Sequence, residues 1–286
     1  MCYINLMEQK LASLSDILRF KSKINIVDIG ANPIDGDPPY KSLLNAKLAH
    51  VTGFEPNPDA LEQLILQKGP NETYLPDAVF DGCKQELKMC AAQGMTSLLE
   101  PNKELLSYFH GFPDWGQVRE RVTIPTVRLD DVKAIKNFDY LKIDIQGGEL
   151  EVFRNGVKKL KDCLVIHTEV EFLPMYEGQP LFSEVELFLR DIGFIFHRFT
   201  SLVSKTVTPM IVENDIYRGL SQTFWADAIF IKDFTKFDNL NSLKLKKIAL
   251  ILHDVYGSMD IALCALMSMD KKSKSNIAED YIRAIS

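Results

Sequence analysis

Residues 24–40 read INIVDIGANPIDGDPPY. The stretch begins as a buried β-strand, with Ile24, Ile26, Val27 and Ile29 apolar and mostly β-branched. At Gly30 it breaks into Asn, Pro, Asp and Gly, a run suited to neither strand nor helix. A packed core does not need an acidic turn directly after its most buried element. A ligand held at the end of a strand does, because open parallel sheets bind ligands beyond the carboxyl ends of their strands.

Outward from this stretch the chain alternates. Strand-like runs occupy 24–29, 50–55, 72–79, 138–145 and 163–170. Helix-like runs occupy 41–48, 58–68, 148–155 and 181–192. Strands separated by helices of this length form βαβ units, hence a mostly parallel sheet with helices on both faces. Two more strands are expected at 194–199 and 224–231, with a long connection over 200–223. Residues 91–125 show no clear period, and loops of that length are usually lids, binding walls or disordered connections. An amphipathic helix is expected over 5–20, and three short helices after residue 233. The expected organisation is an N-terminal helix over 1–22, a main domain over 23–234 and a helical extension over 235–286.

Composition narrows the function classes. The 286 residues carry a formal charge of −6, which disfavours sequence-independent nucleic-acid binding. Five cysteines fit neither a zinc site nor a disulfide framework, so reduced thiols in a cytoplasmic protein are expected. The first twenty residues lack the apolar core of a signal peptide. No run approaches the ~18 apolar residues of a membrane span.

The strand ends carry the chemistry. Gly30 allows a tight turn and close approach of backbone to ligand. The G-x-G-x-x-G fingerprint is missing and Pro33 stands where amide donors would be wanted, which argues against NAD and against a P-loop. Asp28 suits a cationic group, although a tight turn without ligand explains it equally well. Glu55 ends the second strand in VTGFEPNP, where an acid can accept hydrogen bonds from both ribose hydroxyls of a nucleoside. It lies somewhat beyond the ~20 residues expected after the glycine, the excess being absorbed by PIDGDPPY. Asp77, before a turn, can accept an adenine amino group, and the backbone around Ala78 can pack on the base. In YLKIDIQGGELEVFRNG, Asp144 ends a buried strand, Lys142 shares its face, and Glu149 opens a helix. A helix cap and a satisfied ion pair account for Glu149 and Lys142 without function. His167, Glu169 and Glu171 fall on one face of the fifth strand by period two.

Together these pieces resemble the FkbM-type family of S-adenosylmethionine-dependent methyltransferases. The resemblance runs through VDIGAN, GFEPNP, MTSLLEPN, TIPTVRLDDV, LKIDIQGGELEVFRNG, TEVEFLPMYEGQPLFSEVELFLRDIGF and QTFWADAIFIKD, across about 24–232. It implies an α/β class I methyltransferase (Rossmann-like) fold, a seven-stranded mostly parallel sheet whose last strand is antiparallel. It implies S-adenosyl-L-methionine as cofactor and O-methylation of a hydroxyl on a sugar, glycan or secondary metabolite. By position, Asp28, Gly30 and Asn32 would border the methionine part of the cofactor. Glu55 would hold the ribose, Asp77 and Ala78 the adenine. Ser97 would lie in a loop near the cofactor, and Asp144 in the catalytic mouth. The family usually has an acid where Gln146 stands, which puts a carboxylate role there in doubt.

A hydroxyl is a poor nucleophile near neutral pH, so a base is expected, with Asp144, His167 and Glu169 as candidates. Asp144 and Glu169 could instead hold a divalent ion, a reading ranked lower, and no metal is assigned. The alternative is a degenerate methyltransferase fold serving as a binding or scaffold module. The C-terminal helices are apolar on more than one side and must be buried, against the core or against a second copy in a homodimer.

Overall fold

A computed structural model describes residues 13–32 and 36–286. Among the described residues are ten strands and eleven α-helices. The strands are β1 (Ile24–Ile29), β2 (Ala49–Phe54), β3 (Glu72–Leu75), β4 (Ala78–Phe80), β5 (Lys84–Cys90), β6 (Val118–Arg128), β7 (Tyr140–Ile143), β8 (Val165–Glu171), β9 (Phe194–Lys205) and β10 (Gln222–Lys232). The helices are α1 (Leu14–Ile17), α2 (Lys41–Asn45), α3 (Pro58–Gln67), α4 (Lys103–Leu106), α5 (Phe112–Trp115), α6 (Glu149–Arg154), α7 (Val157–Leu160), α8 (Phe182–Asp191), α9 (Ser242–Asp254), α10 (Met259–Ser273) and α11 (Ile277–Ile285).

Seven strands form one sheet in the order β3-β2-β1-β7-β8-β10-β9. The pairings from β3 to β8 are parallel, and β10 runs antiparallel to both β8 and β9. This is the sheet of a class I methyltransferase fold. Its order reverses between β1 and β7, so the crevice of an open α/β sheet opens there.

Period two sorts the sheet into two faces. Val27, Ile29, Leu141, Ile143, Ile166, Ala228 and Phe230 lie on one and pack under α6, α7 and α8. Ile24, Ile26, Tyr140, Val165, Ile229 and Ile231 lie on the other and are covered by α1 and α9–α11. The C-terminal helices therefore bury their apolar residues within the chain: Leu245 and Ile248 to Leu252 are fully enclosed, while Leu243 and Met267 remain exposed. Each buried leucine or isoleucine contributes roughly 1.5–3 kcal/mol. One buried ion pair fixes the helices: Lys247 Nζ lies 2.6 Å from Asp139 Oδ2, which also accepts the Asn25 amide at 2.8 Å.

Four expectations change. Residues 72–79 do not form one strand, because Pro76 has no amide to donate; the chain leaves the sheet there and resumes as β4. The aperiodic 91–125 contains the start of β6, and β4-β6-β5 is a second, three-stranded sheet. The connection expected over 200–223 begins later, since β9 runs to Lys205. Of the helix expected over 5–20, Leu14–Ile17 is helical, and residues before 13 lie outside the described residues, as does Pro33.

Candidate active site

Two cavities adjoin at the carboxyl end of the sheet. The smaller, about 460 Å³, lies beyond β1 and β2 and includes Gly30, Glu55, Asp77, Ala78 and Ser97. Its far wall is apolar and comes from the second sheet: Leu87, Met89, Val122 and Ile124. The larger, about 940 Å³, includes Asp28, Lys142, His167, Glu169 and Asp227, with Tyr40 and Trp225 beside them. Asn32, Gly94, Asp144 and Gln146 border both. Both volumes are in the range of small-molecule sites.

Gly30 joins β1 to this region in a conformation with φ +78°. A β-carbon there would meet the Asp144 carbonyl oxygen at 1.9 Å, so only glycine lets the β1 and β7 ends come together. Glu55 is buried, and its Oε1 accepts the Asn57 amide at 2.8 Å. Burial raises its carboxyl pKa, against the opposing pull of that amide and of Lys142. Asn57 then caps α3 by accepting from the amides of Asp59 and Ala60. Asp77 is exposed, and Ala78 lies beneath it at the start of β4. Ser97 is enclosed with its hydroxyl engaged: it donates to the Gln146 carbonyl at 2.7 Å and accepts the Leu99 amide at 3.0 Å. Ser97 thus ties the 91–99 loop to the turn after β7.

On the larger cavity's floor, Asp28, Lys142 and His167 stand in register on β1, β7 and β8, and Glu169 pairs with Asp227 on β10. Asp28 accepts the Tyr40 hydroxyl, and its Oδ1 lies 3.7 Å from Lys142 Nζ. Asp28 therefore sits with His167 and Glu169, on the opposite side from Gly30 and Glu55.

Gln146, at φ +59°, bridges two acids. Its Nε2 donates to Asp144 Oδ1 at 2.9 Å and to Glu169 Oε2 at 3.0 Å. Burial, then the charges of Asp144, Glu171 and Glu149, push the Glu169 carboxyl well above the usual carboxylate range. Glu149, enclosed at the start of α6, accepts the Ile145 amide at 2.8 Å; burial still raises its pKa to about 7. Asp227 goes the other way. Burial alone would raise it, but hydrogen bonding from His167 and Ser201 holds it below the usual range.

Asp227 and the apolar wall of the second sheet complete the site beyond the residues singled out in sequence. Period two placed Lys142 beside Asp144. Nothing local marks the wall.

The family model described as the methyltransferase FkbM domain matches residues 28–196. The chain belongs to the FkbM methyltransferase family. Its methyl donor is S-adenosylmethionine, and the smaller cavity fits that group: an enclosed acid at the β2 end, an apolar wall and a glycine turn without side chain surround one space. A 2-O-methyltransferase NoeI from Sinorhizobium fredii is 26% identical over 176 residues, 57% of this chain and 70% of that protein. Among solved structures, a magnesium protoporphyrin IX methyltransferase from Synechocystis with bound SAM superposes with a TM-score of 0.39 at 10% identity, covering 77% of this chain and 76% of that one. A precorrin-6y C5,15-methyltransferase from Geobacter metallireducens gives 0.37 at 17% identity, covering 79% and 93%. No helix among the described residues is long and apolar enough to cross a membrane.

Proposed function

We propose that this FkbM methyltransferase is O-directed and methylates a hydroxyl of a sugar, glycan or secondary metabolite held in the larger cavity. The observation that carries the reading is the meeting of the two cavities at Asn32, Gly94, Asp144 and Gln146. A donor on one side and an acceptor on the other would face each other there, and such alignment is the main contribution of a transferase of this kind. The larger cavity's polar floor and its Tyr40 and Trp225 rings suit a hydroxyl-rich acceptor. The 2-O-methyltransferase relative supports the same direction.

When bound, S-adenosylmethionine supplies an electrophilic methyl group on a sulfonium. Glu55 would accept the ribose hydroxyls, and Asp77 with Ala78 would border the adenine against the apolar wall. Gly30 and Asn32 would pass close to the methionine part. Asp144 is the group to take the acceptor's proton, because it alone of Asp144, His167 and Glu169 borders both cavities. Gln146 holds its carboxylate in place. Glu169, whose protonation burial and the charge of Asp144 favour, would hydrogen-bond the acceptor, while His167 and Asp28 would orient it.

The test is incubation with isotopically methyl-labelled donor and a panel of hydroxylated acceptors, or metabolites compared between gene-deleted and complemented cells by mass spectrometry. Label on oxygen, lost in Asp144→Asn, is expected. Label on nitrogen or carbon overturns the O-directed reading.

A further inference from the structure

The family match ends at residue 196, yet one residue from the C-terminal extension reaches the site. Tyr256, in the turn between α9 and α10, places its hydroxyl 3.1 Å from His167 Nδ1 and 2.5 Å from the Tyr140 hydroxyl. Arg198 of β9 donates to the Tyr256 carbonyl and so pins the turn from the other side. On the far edge of the ring, His167 Nε2 faces Asp227 Oδ1 across 3.5 Å.

We propose that Tyr256 locks His167 in the tautomer that carries its proton on Nε2, so that the ring edge facing Asp227 and the acceptor cavity bears a hydrogen and not a basic lone pair. Tyr256 is thereby a positioning residue, acting through His167. This rests on the reading of the larger cavity as the acceptor cavity.

The warrant is hydrogen-bond accounting, which fixes tautomers that geometry alone leaves open. Tyr140 is fully enclosed, and its hydroxyl has one hydrogen-bond partner among the described residues, Tyr256. Its hydrogen must therefore go to the Tyr256 oxygen. The Tyr256 hydrogen is then left for its other partner, His167 Nδ1, which must be bare to accept it. That puts the ring proton on Nε2, pointing at a carboxylate. Asp227 is suited to receive it, since Ser201 already donates to its Oδ2 at 2.6 Å and its pKa lies below the usual range. Every donor in the row Tyr140, Tyr256, His167, Asp227 then has an acceptor. The reverse assignment, with His167 donating from Nδ1, leaves one of the two tyrosine hydrogens with nowhere to go in a closed interior, an arrangement native proteins avoid.

The other groups on this face do not favour the reverse. Lys142, the register neighbour on β7, brings positive charge, and its Nζ donates to the Gly30 carbonyl at 3.3 Å. Glu169, two residues along β8, takes its hydrogen bond from Gln146. Neither supplies an acceptor for a proton on Nδ1. His167 thus leaves the list of proton acceptors, and Asp144 is strengthened as the base. The C-terminal helices, besides covering core, set the hydrogen-bonding character of the acceptor cavity.

The test is imidazole ¹⁵N spectroscopy on the full chain with S-adenosylhomocysteine, His167 being assigned by His167→Gln. The wild type is expected to show protonated Nε2 and bare Nδ1 at neutral pH. Tyr256→Phe is expected to move the Nδ1 resonance toward that of a free ring nitrogen, with S-adenosylhomocysteine affinity changed less than about twofold. Tyr140→Phe, which does not touch His167, is expected to leave the tautomer unchanged, because the Tyr256 hydroxyl still donates to Nδ1. A wild-type ring protonated on Nδ1 overturns the lock, whether or not Tyr256→Phe folds. So does a Tyr256→Phe spectrum identical to wild type. Such results leave the O-directed reading standing, and label on nitrogen in the acceptor assay leaves the tautomer as measured.

Discussion

The two faces of the central sheet use the same strands differently. Under α6, α7 and α8 the face is mostly apolar, with Thr168 enclosed among Ile143, Ile166 and Val170. The other face changes character half-way along: Ile24, Ile26, Tyr140 and Val165 lie beneath the C-terminal helices, and one step of period two further on come Asp28, Lys142 and His167. The helices cover only the apolar half, and the polar half is the floor of the larger cavity. Where helix coverage stops, polar side chains take over from apolar ones along β1, β7 and β8. The boundary of a binding site can thus be a boundary of packing, with no loop or domain needed to draw it.

The sharpest way to break this comparison is to end the chain at Phe234. Removal of α9–α11 exposes the apolar half-face, a loss exceeding the ~5–15 kcal/mol by which a domain is stable. Aggregation is expected by size-exclusion chromatography. A monodisperse product as heat-stable as the full chain would show that the helices cover no essential core.

Next comes Ile143→Ala, on the face packed under α6, α7 and α8. A loss of about 2–5 kcal/mol is expected in denaturant titration, the usual cost of a buried cavity. A loss near zero would show that this face repacks freely.

Glu149→Gln probes the acid that opens the helix over the apolar face. Its folded pKa of about 7 exceeds the 4.5 of an ordinary glutamate. The neutral form is favoured, so its contribution is full below about pH 4.5 and is lost as pH rises through about 7, by roughly 3 kcal/mol at ~1.4 kcal/mol per pH unit. The glutamine keeps an acceptor for the Ile145 amide. Its melting temperature should therefore exceed that of wild type at pH 8, with the gap closing at pH 5. A gap that widens on acidification refutes the sign.

The smallest effect on the whole molecule is Glu55→Ala. Charge-assisted hydrogen bonds contribute roughly 1.5–3 kcal/mol, so calorimetry with S-adenosylhomocysteine should show affinity about ten- to a hundredfold weaker, the fold being kept. Unchanged affinity would remove Glu55 from the cofactor site.

The same contrast explains what could be read from sequence. β1 and β2 were legible almost to the residue because each is a short, largely buried run closed by glycine or proline. β5 and β6 were not. They are half-exposed, carry Arg119, Glu120 and Arg121, and include Pro125 opposite Lys84 at the end of their ladder. That Gly30, Glu55, Asp77 and Asp144 border the cavities could be expected because position in a βαβ unit dictates what strand-end residues face. The division of labour between the cavities could not. That Asp28 lies on the other side from Gly30, and that the Ser97 hydroxyl is engaged by Gln146, follow from contacts between residues far apart in the chain. Tyr256 carried no local signal, since a tyrosine in a helix–helix turn is unremarked until His167 is seen beside it.

The covering of a sheet face by the three last helices also has a consequence in time. A ribosome adds ~5–20 residues per second, so several seconds separate the completion of β10 from the arrival of α11. During that interval the growing chain carries the apolar half-face uncovered and lacks the tyrosine that orients His167. The nascent protein is therefore at its stickiest while its larger cavity is still unfinished, and that is the stage at which a chaperone would find it.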